Sequence, residues 1–427
     1  MTRHASLPGF RDFYPADFAV RTHITNAWRE AARRHGFEEY DGPPLEALEL
    51  YTEKSGDEIV GQLYAFEDRG GRMVALRPEM TPTLARMVGA RAGALRKPIR
   101  WFSMPQLFRY ERTQRGRLRE HFQWNVDILG EDDITADAEV LSTGLDALHL
   151  LGLGTGDVVA RFNDRRLLES LLLHVGVRTD QLGPTYAAVD KLAREPHEKI
   201  TERLREAGLD AAMADAVLGL FDDAAFEAVE HRFGRDATIK GALERLAFYR
   251  DALADLGHAE SIRFDLTIVR GLAYYTGIVF EIFDRAGELR AICGGGRYDR
   301  LLSAVSEADL PAVGFGMGDV VLTELLRDRG LLPDHAPGVD DYVIAVSESE
   351  RSVQRRIATA LRAGGRSVAY GLKPAGVAKQ FKDANARGAA RAIVIGPAEV
   401  AAGIVIVREM ATGEERRIPI DEIAGAP

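Results

Sequence analysis

The chain has 427 residues, a net charge of −10, 46% apolar and 28% charged residues, and one cysteine, Cys293. That length exceeds one ordinary core and predicts two or three domains. No apolar run is long enough to span a bilayer, residues 1–8 carry no apolar targeting core, and a lone cysteine excludes an internal disulfide framework, so a cytoplasmic protein is expected.

In chain order, residues 17–36 read as a helix, with Phe18, Ile24, Trp28, Ala31 and Ala32 at helical spacing and Gly36 at its end. Phe37–Glu46 reads as a strand running into the Pro43-Pro44 turn. Tyr64–Arg77 reads as a hairpin around Arg69-Gly-Gly71. Leu76-Arg-Pro-Glu-Met-Thr81 places a carboxylate and a hydroxyl before a helix expected over Pro82–Arg91. Glu79 can receive an ammonium group there; equally, Thr81 can cap the helix, with Pro82 in its first turn.

Residues 100–110 and 120–130 read as two more strands around a charged loop. That loop carries Arg109, Arg112, Arg115, Arg117 and Arg119. Planar, permanently charged guanidinium forks suit phosphate, although a solvated basic hairpin has the same composition. Strand alternation predicts that Arg109 and Glu111 share a face, as do Gln123 and Asp127, and Phe122 offers a ring for a purine. From about 165 to 255 the periodicity is helical, a helical insertion within a sheet pattern that resumes at Ser261–Thr267 and Ile278–Asp284. The whole stretch predicts an α+β fold, an antiparallel sheet with helices.

Ile268-Val-Arg-Gly-Leu-Ala-Tyr-Tyr275 sets an arginine, Arg270, beside a tyrosine pair, an arrangement suited to a small, anionic, partly aromatic ligand. In Ile292-Cys-Gly-Gly-Gly-Arg-Tyr-Asp299 the glycines let backbone approach that ligand, because no Cβ intervenes. Pro and Gly cluster at 329–340, a linker. Beyond it, β-rich runs at Tyr342–Val346, Ser367–Ala369, Ala392–Ile395 and Gly403–Val407 alternate with helical runs at 350–364 and 375–388, a small α/β domain. Residues 351–391 hold ten Lys/Arg and one acid, a local +9 in an acidic chain. This is either a solvated helix face or a phosphate-binding patch. The histidines are scattered, and no cluster with metal-ligand spacing is expected.

The two segments at 268–275 and 292–299 resemble the histidine-binding signatures of histidyl-tRNA synthetases, in the class II aminoacyl-tRNA synthetase family. The resemblance runs from Gly9-Phe-Arg-Asp-Phe13 to the C-terminal domain, where Lys379-Gln-Phe-Lys-Asp-Ala-Asn385 is similar to a helix of the anticodon-binding domain. It implies a class II catalytic core over 1–328, the linker, and an anticodon-binding-type α/β domain over 341–427. It implies a ligase of protein biosynthesis that joins histidine to ATP as histidyl-adenylate and passes it to tRNA(His). By this resemblance Arg109 and Arg270 are catalytic. Glu79, Met80, Thr81, Arg109, Gln123, Asp127, Arg270, Tyr274 and Tyr275 bind histidine, and Arg109, Glu111, Arg117 and Phe122 bind ATP, which brings Mg2+. Partners are then ATP, L-histidine, tRNA(His) and a second copy of the chain through Gly36–Glu46, with no membrane. The chain departs from the family at Met80 (usually Gly), Asp127 (more often Glu), Ala273 (typically Asp) and Val321, where the phosphate-holding arginine of Gly-Leu-Glu-Arg usually stands. That last departure favours a rival, a non-catalytic histidine-binding paralogue resembling the ATP phosphoribosyltransferase regulatory subunit. Arg270, the Arg109 loop and the C-terminal domain oppose it. A tRNA-binding protein without catalysis would make the ligand pocket a coincidence.

Overall fold

The computed structural model describes residues 4–52, 60–192, 195–269, 274–306, 308–333 and 338–425. The chain forms two compact units, one of Met1–Phe13 with Val20–Leu332 and one of Tyr14–Ala19 with Pro333–Pro427. No helix of the described residues is long and apolar enough to cross a membrane.

The strands of the first unit are β1 (Glu38–Glu39), β2 (Leu45–Ala47), β3 (Tyr64–Glu67), β4 (Met73–Leu76), β5 (Ile99–Ser103), β6 (Gln106–Phe108), β7 (Glu120–Leu129), β8 (Val158–Asp164), β9 (Ile262–Phe264), β10 (Ile278–Asp284), β11 (Cys293–Arg297) and β12 (Ala312–Gly318). The main sheet has the order β1-β5-β7-β12-β11-β10-β8-β9, with β6 pairing β7. It is antiparallel except at its ends, where β1 joins β5 and β9 joins β8 in parallel. The hairpin expected over 64–77 is β3 and β4, with Gly71 at φ +78 in the turn. The single strand expected over 37–46 is instead two. β1 belongs to the main sheet and β2 to a small sheet with β4 and β3, because Pro43 and Pro44 have no N–H to continue a ladder.

The helices of the first unit include α1 (Pro15–Arg34), α2 (Thr81–Gly89), α3 (Ile134–Leu150) and α4 (Ala237–Asp255). α4 closes a run of helices that begins at Arg165–His174, the insertion the periodicity predicts. One face of β7 sends Trp124, Val126 and Ile128 into the main core with Leu141, Leu145 and Leu148 of α3. Trp28 of α1 stacks on Trp124 with ring centroids 6.0 Å apart. β12 adds Val313, Phe315 and Met317 to the same core, so its glycines face the other way.

In the second unit the strands are β13 (Asp341–Ala345), β14 (Val368–Tyr370), β15 (Arg391–Ile395), β16 (Ile404–Glu409) and β17 (Glu415–Pro419), in the order β14-β13-β15-β16-β17. β13, β14 and β15 are parallel, as short βαβ crossovers require, and β16 and β17 run antiparallel. The helices Arg351–Ala363 and Val377–Ala386 match the two helical runs read from sequence. β17 and the short helix Pro397–Ala402 are additions to that reading.

Candidate active site

The face of β7 that points away from the core carries His121, Gln123, Asn125 and Asp127, and β12 lies beside it with Gly314 opposite Asp127 and Gly316 opposite Asn125. A Cβ on Gly314 would stand 2.0 Å from Asp127 Oδ1, and one on Gly316 would stand 2.7 Å from Gln123 Cδ. The two glycines therefore make the space that the two polar side chains occupy. Asp127 is buried and accepts a hydrogen bond from Tyr298 Oη. Burial pushes its carboxyl up to about 7, against the opposing pull of that bond. Burial and the neighbouring Asp127 carry the Tyr298 hydroxyl well above its ordinary range.

Tyr274 meets Tyr298 edge-on at 5.9 Å and Tyr275 at 4.9 Å. Tyr275 covers the backbone of β11: a Cβ on Gly296 would be 3.0 Å from its ring and 2.5 Å from the Ile278 carbonyl. Gly295 is equally tight, 2.4 Å from the Gly314 carbonyl. The glycine run thus serves close strand packing at the pocket wall. Arg297 of the same segment is internal. It pairs with buried Asp137 and donates to the carbonyls of Glu131 (3.0 Å) and Asp133 (3.2 Å), fastening β11 to the start of α3.

The Pro78-Glu-Met80 turn is held by two arginines. Buried Arg77 donates to the Gln106 carbonyl at 3.0 Å and to Asp41 and the Gly42 carbonyl at 2.8 Å. Arg109 Nε donates to the Pro78 carbonyl at 2.9 Å. Glu79 is thereby fixed in a buried position at the head of α2. The capping expected of Thr81 is corrected. The helix begins at Thr81, the cap position is Met80, and no side chain caps it; Pro82 does occupy the first turn. Met80 sits at φ −96 and ψ −23, ordinary right-handed backbone that needs no glycine.

The arginine loop is folded onto its surroundings. Arg117 pairs with buried Glu111, and Arg119 lies over the Tyr110 ring at 4.2 Å. Arg115 reaches Glu324 (3.3 Å) and Asp328 (3.0 Å) on α5 (Asp319–Asp328). Gly116, at φ +74, lies at the tip; a Cβ there would be 3.3 Å from Val321 Cγ2. The strand argument for Arg109 and Glu111 does not hold, because β6 ends at Phe108 and the Glu111 N–H turns back to the Arg109 carbonyl at 2.8 Å.

Phe122 lies on the other face of β7 from Gln123. Its ring sits under the Arg21 guanidinium at 4.5 Å and against Phe13 at 6.0 Å, so the structure does not bring it together with Gln123 and Asp127. The ring on their face is His121, whose pKa falls to about 3 through burial and the nearby Arg109 and Arg11. Beside Phe122, Arg11 bonds both Glu120 (2.6 Å) and Asp319 (2.9 Å), and Asp319 accepts the Phe122 N–H at 2.9 Å. Sequence reading missed Tyr298, Arg77, His121, Arg11 and Asp319 as parts of this neighbourhood. Strand period alone could have found His121, two residues before Gln123. Arg270 and Ala273 lie outside the described residues.

The groups described are a buried carboxyl–phenol pair, a glutamine amide on the same face of β7 as that carboxyl, a buried carboxylate at a helix head, and an arginine anchored to the residue before it. Comparison with known proteins gives this arrangement its context. A family model described as Histidyl-tRNA synthetase matches residues 9–319, and one described as Anticodon binding domain matches 341–426. A histidine–tRNA ligase of Opitutus terrae is 44% identical over 99% of this chain and 98% of its own length. The chloroplastic/mitochondrial histidine–tRNA ligase of Arabidopsis thaliana is 40% identical over 97% of this chain and 85% of its own. The crystal structure of histidyl-tRNA synthetase from Nostoc sp. PCC 7120 shares the fold, with TM-score 0.84, 22% identity and 99% of each chain covered.

Proposed function

The chain belongs to the histidyl-tRNA synthetase family, and on that premise we propose how its residues carry out histidine activation and transfer to tRNA. The observation that carries the assignment to histidine is buried Asp127 bonded to Tyr298, its side chain lying in the space that Gly314 leaves beside β7. A carboxylate there accepts an imidazole N–H, and Tyr274 closes over the ring. Glu79 receives the α-ammonium and Gln123, on the same face of β7 as Asp127, adds an amide contact, so a substrate lacking either end forfeits a charge-assisted hydrogen bond.

In the first step a histidine carboxylate oxygen attacks the α-phosphorus of ATP and pyrophosphate leaves. Negative charge gathers at the α-phosphate, and fixed cations there favour the transition state over the ground state. Arg109 and Arg270 supply them in this reading, Arg109 already anchored through Nε to Pro78. In the second step a terminal tRNA hydroxyl attacks the acyl carbon and AMP leaves. ATP arrives with Mg2+, which neutralises phosphate charge. Glu111 and Glu120 are oxygen donors of the kind that ion takes, although each is paired with an arginine, Arg117 and Arg11. His121 is the ring placed for the purine, in preference to Phe122. The chain works in the cytoplasm as a homodimer formed around residues 36–46.

Histidine-dependent ATP–pyrophosphate exchange tests the reading: histidine should drive it and other amino acids should not. Val321, buried where the family usually has an arginine, is the one observation favouring the regulatory paralogue. Normal histidine binding without exchange above background would decide for that rival.

A further inference from the structure

α3 packs on the face of the main sheet opposite Gln123 and Asp127. There, three imidazoles far apart in sequence converge on one carboxylate. Asp146 and His149 are three residues apart on α3, so both side chains leave the same side of the helix. His258 comes just after α4, which packs along α3, and His35 directly follows α1. His149 Nδ1 lies 3.8 Å and His258 Nε2 lies 3.7 Å from Asp146 Oδ1. One ligand atom from each of the three residues falls within 4.8 Å of the others.

We propose that Asp146, His149 and His258 bind a divalent transition-metal ion of the zinc type. Two imidazole nitrogens and a carboxylate oxygen suit such an ion, whereas Mg2+ and Ca2+ take oxygens. With bonds of about 2.0–2.1 Å, tetrahedral ligand atoms stand about 3.3 Å apart, so the two observed separations close by roughly half an ångström on binding. The side chains of Asp146 and His149 are 41% and 36% exposed and can make that adjustment, while His258, 3% exposed, stays as the fixed point.

The surroundings orient the carboxylate. His35 Nε2 is 2.9 Å from the outer oxygen, Asp146 Oδ2, which leaves Oδ1 directed at His149 and His258. The other His35 nitrogen lies 3.3 Å from Glu139, which also takes Arg100 at 2.9 Å. Carboxylates that bind metals are commonly held by such an outer partner. The remaining His258 nitrogen, Nδ1, is buried and makes no hydrogen bond among the described residues. Ser142 Oγ, 2.8 Å from His258 Nε2, is the competing partner that must turn away.

The test uses the untagged full-length chain, stripped with a chelator and titrated with Co2+ and then Zn2+. One equivalent of Co2+ should give a visible ligand-field band, Zn2+ should displace it, and Zn2+ should raise the melting temperature. His149→Ala, on a partly exposed side chain, should abolish the band while leaving the far-ultraviolet circular dichroism unchanged. His35→Asn should keep the band but weaken binding about tenfold or more. The proposal is overturned if the stripped chain takes up no Co2+ at micromolar concentrations, or if the band survives His149→Ala.

Discussion

Single residues here are set by burial more than by local sequence. Asp127 shows this most directly. Its unfolded pKa is about 3.9, and burial lifts it in the folded chain to about 7. Between those values the folded chain holds a proton that the unfolded chain has released. Stability should therefore fall as pH rises from about 4 to about 7 and level off above, by at most about 4 kcal/mol. Urea midpoints at pH 5 and pH 8 check this: Asp127→Asn should shrink the difference, and an unchanged difference would assign it elsewhere. The role proposed for Arg270 is different: it would act on charge that exists only in the transition state. Arg270→Ala should lower exchange by a factor on the order of 10² or more, with histidine affinity much less affected. Exchange within about threefold of the parent, under roughly 1 kcal/mol, would remove Arg270 from that role. Sequence reading put Gln123 and Asp127 on one face because they lie four apart in a regular strand, and their roles came only from the family resemblance. It offered Phe122 as the ring for the purine, although that residue faces away from Gln123, and it could not see that Tyr298 arrives from 171 residues away to meet Asp127.

Elements explain why the pocket exists. Sequence periodicity located α1, α2, the β3–β4 hairpin, β7, β10 and the helical insertion, because apolar residues recur at the period of the element that buries them, but it did not mark β8, β11, β12, α3 or α5. It could not show which strands become neighbours. Gly314 and Gly316 become meaningful only when β12 is laid against β7 in the observed register, with Gly314 opposite Asp127. Gly314→Ala would put a methyl carbon 2.0 Å from Asp127 Oδ1 and 2.7 Å from the Val126 carbonyl. Strands paired on both sides cannot step aside, so the Asp127 side chain must. Histidine affinity should fall at least about tenfold, roughly 1.4 kcal/mol, with a stability loss of about 1–3 kcal/mol. Gly156→Ala, where an added Cβ meets nothing within 4 Å, is the control. Titration calorimetry with histidine decides: equal affinity in the Gly314 and Gly156 variants would mean the recess is not where histidine binds. The proline break between β1 and β2 was legible as a turn. Its consequence, a transfer of the chain from one sheet to another, was not.

For the molecule as a whole, the local +9 of residues 351–391 does not have a single purpose. Arg391 is buried in the second unit and pairs with buried Asp341 at 2.8 Å; Arg366 pairs with the same carboxylate. Those two cations belong to the fold of the second unit. Arg355, Arg356, Lys373, Lys379, Lys382 and Arg387 are exposed and carry charge into solvent. Composition counts the two sets alike, so sequence alone could register the excess of charge but not divide it. The division yields opposite expectations for two substitutions. Arg391→Ala strands Asp341 beside one remaining partner and should cost about 3–5 kcal/mol of stability in the second unit, measured by thermal or urea unfolding. Lys379→Glu should leave stability nearly unchanged. If the exposed set meets tRNA phosphates, that substitution should weaken tRNA binding and reduce the slope of log affinity against log salt by about 1. Filter binding across a salt series reads both quantities at once. A Lys379→Glu chain with the parent's slope and affinity would show that this face is solvated rather than bound to RNA. The anticodon-binding resemblance would then have to act through another surface of the same unit.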